Sequence, residues 1–100
     1  MTTELREYVI ADGHLEEFVA AWLKGVVPLR QRFGYRIEGA WTVPSERRFV
    51  WILAHDAPEK EWQALNDGYY ASPERAALDP DPAQWVEEQR HSFLQQILPA

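Results

Sequence analysis

Arg6 and Tyr8 lie two residues apart in a segment that reads as a β-strand, so both side chains leave the same face. A guanidinium beside a phenol suits a reaction that develops negative charge on oxygen. The first holds the charge, and the second gives or takes a proton. His55, at the end of a later strand, adds an imidazole. Trp41, Trp51 and Tyr70 are broad rings that can wall a cavity for a flat hydrophobic or aromatic molecule, where few polar contacts are needed. In the chemistry these residues fit, His55 or Tyr8 removes a proton from a phenol or enol and Arg6 stabilises the anion. The electron-rich anion then reacts directly with dioxygen, and no cofactor is called for. The plainer reading of each residue is packing: Arg6 pairs with Glu4, Glu7 or Glu38 across the sheet, and Tyr8 and the tryptophans fill a core. Arg6 resists that reading most, because a central strand offers a guanidinium no water unless a cavity lies beside it.

Other chemistries are poorly served. The chain has 100 residues, ten Lys and Arg against 16 Asp and Glu, and a net charge of −6, which argues against nucleic acid and anionic membranes. Cysteine is absent, which removes disulfides and thiolate metal sites and fits a cytoplasmic protein. A metal would need His55 and His91 to converge with a carboxylate, and nothing in the spacing demands it, so no metal is expected. Asp79 and Asp81 alternate with prolines and read as caps and turn formers. No Gly-rich phosphate loop or GxSxG elbow is present. The N-terminus lacks the basic and apolar regions of a signal peptide, and the longest apolar run, 49–54, is too short to span a bilayer.

The elements that must position the candidates follow from periodicity. Residues 4–10 read as the first strand, with Leu5, Glu7 and Val9 on one side and Arg6, Tyr8 and Ile10 on the other. Leu15, Phe18, Val19, Trp22, Leu23 and Val26 form one apolar helical stripe, continued by Leu29 and Phe33 and closed by Gly34. Pro28 is expected to bend or restart this helix. Residues 35–43 form the second strand, with Tyr35, Ile37, Gly39, Trp41 and Val43 on one face, and 44–46 make a hairpin turn. Residues 47–55 form a third strand that is apolar on both faces, hence central. Asp56 to Glu59 read as a capping box before a helix that turns Trp62, Leu65 and Tyr69 inward, and Ser72 caps a further short turn. After the break at 79–82, residues 87–98 make the last strand, begun near His91. The whole is one α+β domain spanning 1–100: a ferredoxin-like βαββαβ sandwich, a four-stranded antiparallel sheet with two helices on one face.

Two helices leave the other face of such a sheet bare. If Val50, Ile52 and Ala54 meet the helices, the bare face carries Trp41, Phe49, Trp51 and Leu53, worth about 10–20 kcal/mol if buried. A homodimer, one sheet facing the other, is the expected remedy. The alternative is a module in which the aromatics serve only that packing.

Several stretches resemble the NIPSNAP family of the dimeric α/β-barrel superfamily: Glu4-Leu5-Arg6-Glu7-Tyr8 with Gly13, Gly39-Ala40-Trp41-Thr42, residues 49–56, and residues 69–75. The resemblance implies the ferredoxin-like fold and a dimeric α/β barrel. It does not select a reaction, since the wider superfamily includes cofactor-free monooxygenases, haem-degrading enzymes and plain ligand binders.

Overall fold

In the computed structural model, which describes residues 1–99, β1 (Thr2–Ile10) shows strict alternation of buried and half-buried residues. Its inward set is Thr2, Glu4, Arg6, Tyr8 and Ile10, so the polar pair identified from spacing lies on the covered face. The first helical segment runs through α1 (Leu15–Ala21), a π-helical turn (Trp22–Val26) and α2 (Val27–Arg32). Then follow β2 (Arg36–Val43), a 3₁₀ turn (Pro44–Glu46) and β3 (Arg48–His55). The chain continues with α3 (Glu59–Ala71), a short α4 (Pro73–Ala76), a second 3₁₀ turn (Pro82–Trp85) and β4 (Val86–Phe93). The strands form one antiparallel sheet in the order β2-β3-β1-β4, with the helices on one face, as the βαββαβ pattern requires.

Pro28 does not break the first helix. The turn before it widens to π form, with the Val27 N–H bonded to the Trp22 carbonyl, and the backbone stays helical into α2. The inward stripe becomes Phe18, Trp22, Val26 and Leu29, while Leu23, expected inside, is 57% exposed. Gly34 closes the helix at φ +87°, a conformation that favours glycine, and the Tyr35 N–H returns to the Arg30 carbonyl.

The third strand is turned over relative to the sequence reading. Cross-strand pairing sets Tyr8 opposite Phe49, Arg6 opposite Trp51 and Glu4 opposite Leu53, which puts Phe49, Trp51 and Leu53 beneath the helices. These large rings fill the deep layer between sheet and helix, where Phe49 and Trp51 meet Trp22 edge-on at 4.8 and 5.3 Å between ring centres. The uncovered face is therefore built by Leu5, Val9, Val50 and Ile52. Trp41 joins them, because β2 is bulged at Glu38: Ile37 faces Leu53, but Gly39 faces Ile52. Tyr35 and Trp41, expected on one face, thus end on opposite ones. The indole of Trp41 lies over Gly39, where a Cβ would stand 2.5 Å from the ring.

Two boundaries differ for identifiable reasons. Asp56 does not cap α3; its carboxylate accepts from Arg36 Nη1 at 2.7 Å, and Pro58 holds the cap position without a side-chain bond. The last strand ends at Phe93 rather than near residue 98. After the Leu94 N–H bonds to the Thr3 carbonyl, β1 has no further partner to offer, and Ile97 and Leu98 run on exposed. Ser72 and Asp81 cap as expected, accepting from the amides of Arg75 and Ala83. Among the described residues no helix is long and apolar enough to cross a membrane.

Candidate functional site

The helical layer does not seal fully against the sheet. A cavity of about 350 Å³ remains, floored by Tyr8 and Trp51 with Gln89 and His91 from β4. Phe18, Trp22, Val26 and Arg30 of the first helix roof it, and Tyr69, Tyr70 and Arg75 close one end. Pairing of β1 with β4 explains the floor: Tyr8 lies opposite Gln89 and Arg6 opposite His91, so all four point to the helix side of the sheet, the two from β4 remaining exposed.

Beside this cavity sits a buried polar cluster. Arg6 is fully buried; its Nε donates to Glu4 Oε1 at 2.6 Å, Nη1 to the Tyr70 hydroxyl at 2.9 Å and Nη2 to Asn66 Oδ1 at 3.2 Å. Trp62 Nε1 donates to the other oxygen of Glu4 at 3.0 Å. Arg30, one turn beyond Val26 on the inward stripe, repeats the pattern. It donates to the same Asn66 oxygen at 2.9 Å and the same Tyr70 hydroxyl at 3.3 Å. Its guanidinium also lies flat on Tyr69, 3.6 Å from the ring centre. Two guanidiniums thus share one amide oxygen and one phenol, and among the described residues Glu4 is their one carboxylate partner.

This crowding sets the acid–base character of the site. Burial lowers the pKa of Arg30 and the neighbouring Arg6 charge lowers it further. Burial would raise the Tyr70 phenol, but Arg6 and Arg30 outweigh it and hold Tyr70 below the ordinary tyrosine value. Burial pushes Tyr8 upward, against Arg6. Burial and then the Arg6 charge depress the His91 imidazole, which keeps it neutral near pH 7 and able to accept a proton. Several donors of the cavity lining are buried with no hydrogen-bond partner among the described residues: Trp22 Nε1, Trp51 Nε1, Arg30 Nε, Arg75 Nε and the Tyr69 hydroxyl.

The structure brings Arg6, Tyr8, Trp51 and Tyr70 together, with Arg6 behind the cavity wall and held by protein groups rather than on its surface. The pairing of Arg6 with Glu4 is the packing arrangement weighed from sequence. His55 and Trp41 lie elsewhere. His55 Nδ1 accepts from the Ala57 amide at 3.0 Å and its ring packs edge-on against Tyr35, away from the cavity. Trp41 is 54% exposed on the opposite face of the sheet. Arg30, Asn66 and His91 carry much of the site and were not singled out from sequence. Arg30 had a signal: Trp22, Val26 and Arg30 follow at successive i+4 steps, placing a charge in an apolar stripe. Among the described residues no group of three His, Asp or Glu side chains is placed to hold a metal.

No protein-family model matches the sequence, and no curated protein does. Its backbone does match solved structures along the full domain. A NIPSNAP domain protein from Burkholderia xenovorans superposes with TM-score 0.82 at 24% identity, covering 100% of this chain and 98% of that one. A NIPSNAP family protein from Agrobacterium tumefaciens gives TM-score 0.81 at 11% identity, covering 94% and 90%. The chain has the NIPSNAP fold. The resemblance read from its sequence therefore holds at the level of architecture. An antibiotic biosynthesis monooxygenase matches less closely, with TM-score 0.69, 13% identity and coverage of 97% and 99%. The NIPSNAP fold here is thus one variant of an α+β sandwich shared with that enzyme.

Proposed function

We propose that this protein binds a flat, largely apolar small molecule in the cavity between helices and sheet. It does so as a homodimer whose sheets cover each other's open faces. The observation that carries the ligand reading is the cavity lining: aromatic walls whose buried donors have no partner among the described residues. The dimer reading rests on the apolar uncovered face, where Val50 and Ile52 flank the exposed Trp41.

The chemistry that fits is oxidation of an enol or phenol without a cofactor, a reading supported by the fold shared with the antibiotic biosynthesis monooxygenase. Neutral His91 takes a proton from an activated C–H or O–H, and the Tyr70 hydroxyl, backed by Arg6 and Arg30, stabilises the oxyanion. The anion's carbon bonds to dioxygen, protonated His91 returns its proton to the peroxide, and the carbon hydroperoxide loses water, together with the C–H left on that carbon, to leave a carbonyl. One oxygen atom enters the product and the other leaves as water. Tyr8 and Trp51 form the surface against which the ring system lies.

Calorimetric titration with anthrone, a flat enolisable ketone, tests the reading against Val26→Trp, which fills the cavity from the helix side. Wild type binds and the variant does not, while both fold alike. Absence of binding to wild type, or equal binding to both, refutes the cavity and leaves the aromatics as packing alone; product formation under air separates an enzyme from a binder.

A further inference from the structure

Three guanidiniums converge on Tyr70. Arg6 and Arg30 donate to its hydroxyl, and Arg75 lies 5.6 Å from its ring centre. Among the described residues two carboxylates answer them, Glu4 on Arg6 and Asp81 on Arg75, at 2.6 and 3.1 Å. Arg30 has no carboxylate partner among the described residues, although it is 1% exposed. A buried charge left unpaired is costly, and proteins seldom keep one without a use. The side chains of Arg30 and Arg75 line the same cavity, and among the described residues neither Nε has an acceptor.

We propose that the ligand carries one anionic oxygen group, of the carboxylate or ionised-phenol kind, and that Arg30, aided by Arg75, binds it as the missing counter-charge of the cluster. The inference rests on the cavity reading given above and narrows it from any flat apolar molecule to an aromatic mono-anion. The remaining lining accounts for the rest of such a ligand. Trp22 and Trp51 take the ring system, while the charged end points toward α4. The upward pull of burial on the energy of Arg30, seen in its lowered pKa, is relieved when an anion arrives. Arg6 plays a different part: its bonds to Glu4, Asn66 and Tyr70 occupy it, so it positions Tyr70 rather than the ligand.

The test compares two probes of the same shape, naphthoate and neutral naphthamide, by calorimetry on the wild-type protein. Naphthoate is expected to bind about tenfold tighter or more, the gain of a charge-assisted hydrogen bond. Arg30→Met should erase that preference, so that naphthoate and naphthamide bind the variant with affinities equal to within about twofold. Should Arg30→Met fail to fold, Arg75→Gln replaces it and should reduce the preference in the same direction. Equal binding of both probes to wild type overturns the anion assignment and leaves the cavity standing. An undiminished preference in folded Arg30→Met, or in Arg75→Gln where that variant stands in, overturns the assignment to these arginines. If neither probe binds, the cavity reading itself falls with the inference.

Discussion

Along β1 the face shut away beneath the helices carries Thr2, Glu4, Arg6 and Tyr8, while Thr3, Leu5, Glu7 and Val9 line the face left open. The more polar side of the strand is the buried one. Simple amphipathicity predicts the reverse, so stability alone does not account for the arrangement. Burying an ion pair gains little over a well-packed apolar substitute, whereas an apolar surface left open invites a partner. On each face a glutamate of β1 pairs with an arginine, Glu4 with Arg6 inside and Glu7 with Arg48 outside, at 2.6 and 2.9 Å. Similar geometry in different surroundings makes these pairs a direct measure of what each face is for.

The largest effect should come from breaking the inner pair. Arg6→Ala leaves Glu4 buried with only Trp62 as a donor and should cost about 3–5 kcal/mol in urea unfolding. The double change Arg6→Met with Glu4→Gln should recover most of that loss. If Arg6→Ala costs under about 1 kcal/mol, the covered face is wetter than its geometry implies.

On the outer face, Val50→Glu sets a charge beside Trp41 and Ile52. Sedimentation should show the proposed dimer weakened about a hundredfold or more, with the circular dichroism of the separated chain retained. Loss of secondary structure along with association would assign that face to the fold of the single chain.

Titration sharpens the contrast at smaller energies. Phenolate absorbance should show one tyrosine ionising below the ordinary value near pH 10 and three above it, and Tyr70→Phe should remove the early one. The stability consequence has opposite signs. Tyr8, Tyr35 and Tyr69, whose folded values are raised by burial, hold protons that the unfolded chain sheds, so they lower stability as pH rises through about 10. Tyr70, whose folded value is depressed, adds stability above its unfolded value, and that share vanishes as pH falls through its folded one. A fully synchronous titration of the tyrosines would contradict the cluster.

The smallest change belongs to the outer pair. Glu7→Ala removes a half-exposed partner of Arg48 and should move unfolding by about 1 kcal/mol or less, falling further in high salt.

Much of the architecture was legible because strand and helix periods are written into local sequence. The pairing of Arg6 with Tyr8 followed from period two, and the inward Trp62 and Tyr69 from helical spacing. The orientation of β3 was not legible, since both of its faces are apolar and hydrophobicity cannot say which set meets the helices. The β2 bulge escaped for a related reason: one unpaired residue, Glu38, leaves no compositional mark yet exchanges the faces beyond it. In the site, Tyr8, Trp51 and Tyr70 were within reach of sequence. Asn66 and His91 were not, because their roles depend on strand pairing and helix docking between residues far apart in the chain. His55 drew notice through its residue type, but its ring is committed to a backbone amide.

The π turn at Trp22–Val26 also lets the site absorb a one-residue change in chain length. An α-helix advances about 100° per residue, and a wider turn advances less, so this segment winds the downstream helix back toward the sheet. Deleting one residue from it would restore a regular α-helix while keeping nearly every hydrogen bond. The rods would remain, and Phe18 and Arg30 would still face the same floor, since about eleven residues of regular α-helix make about three whole turns. The turn works as a splice: it takes up the one residue that would otherwise carry Arg30 about a third of a turn away from the cavity.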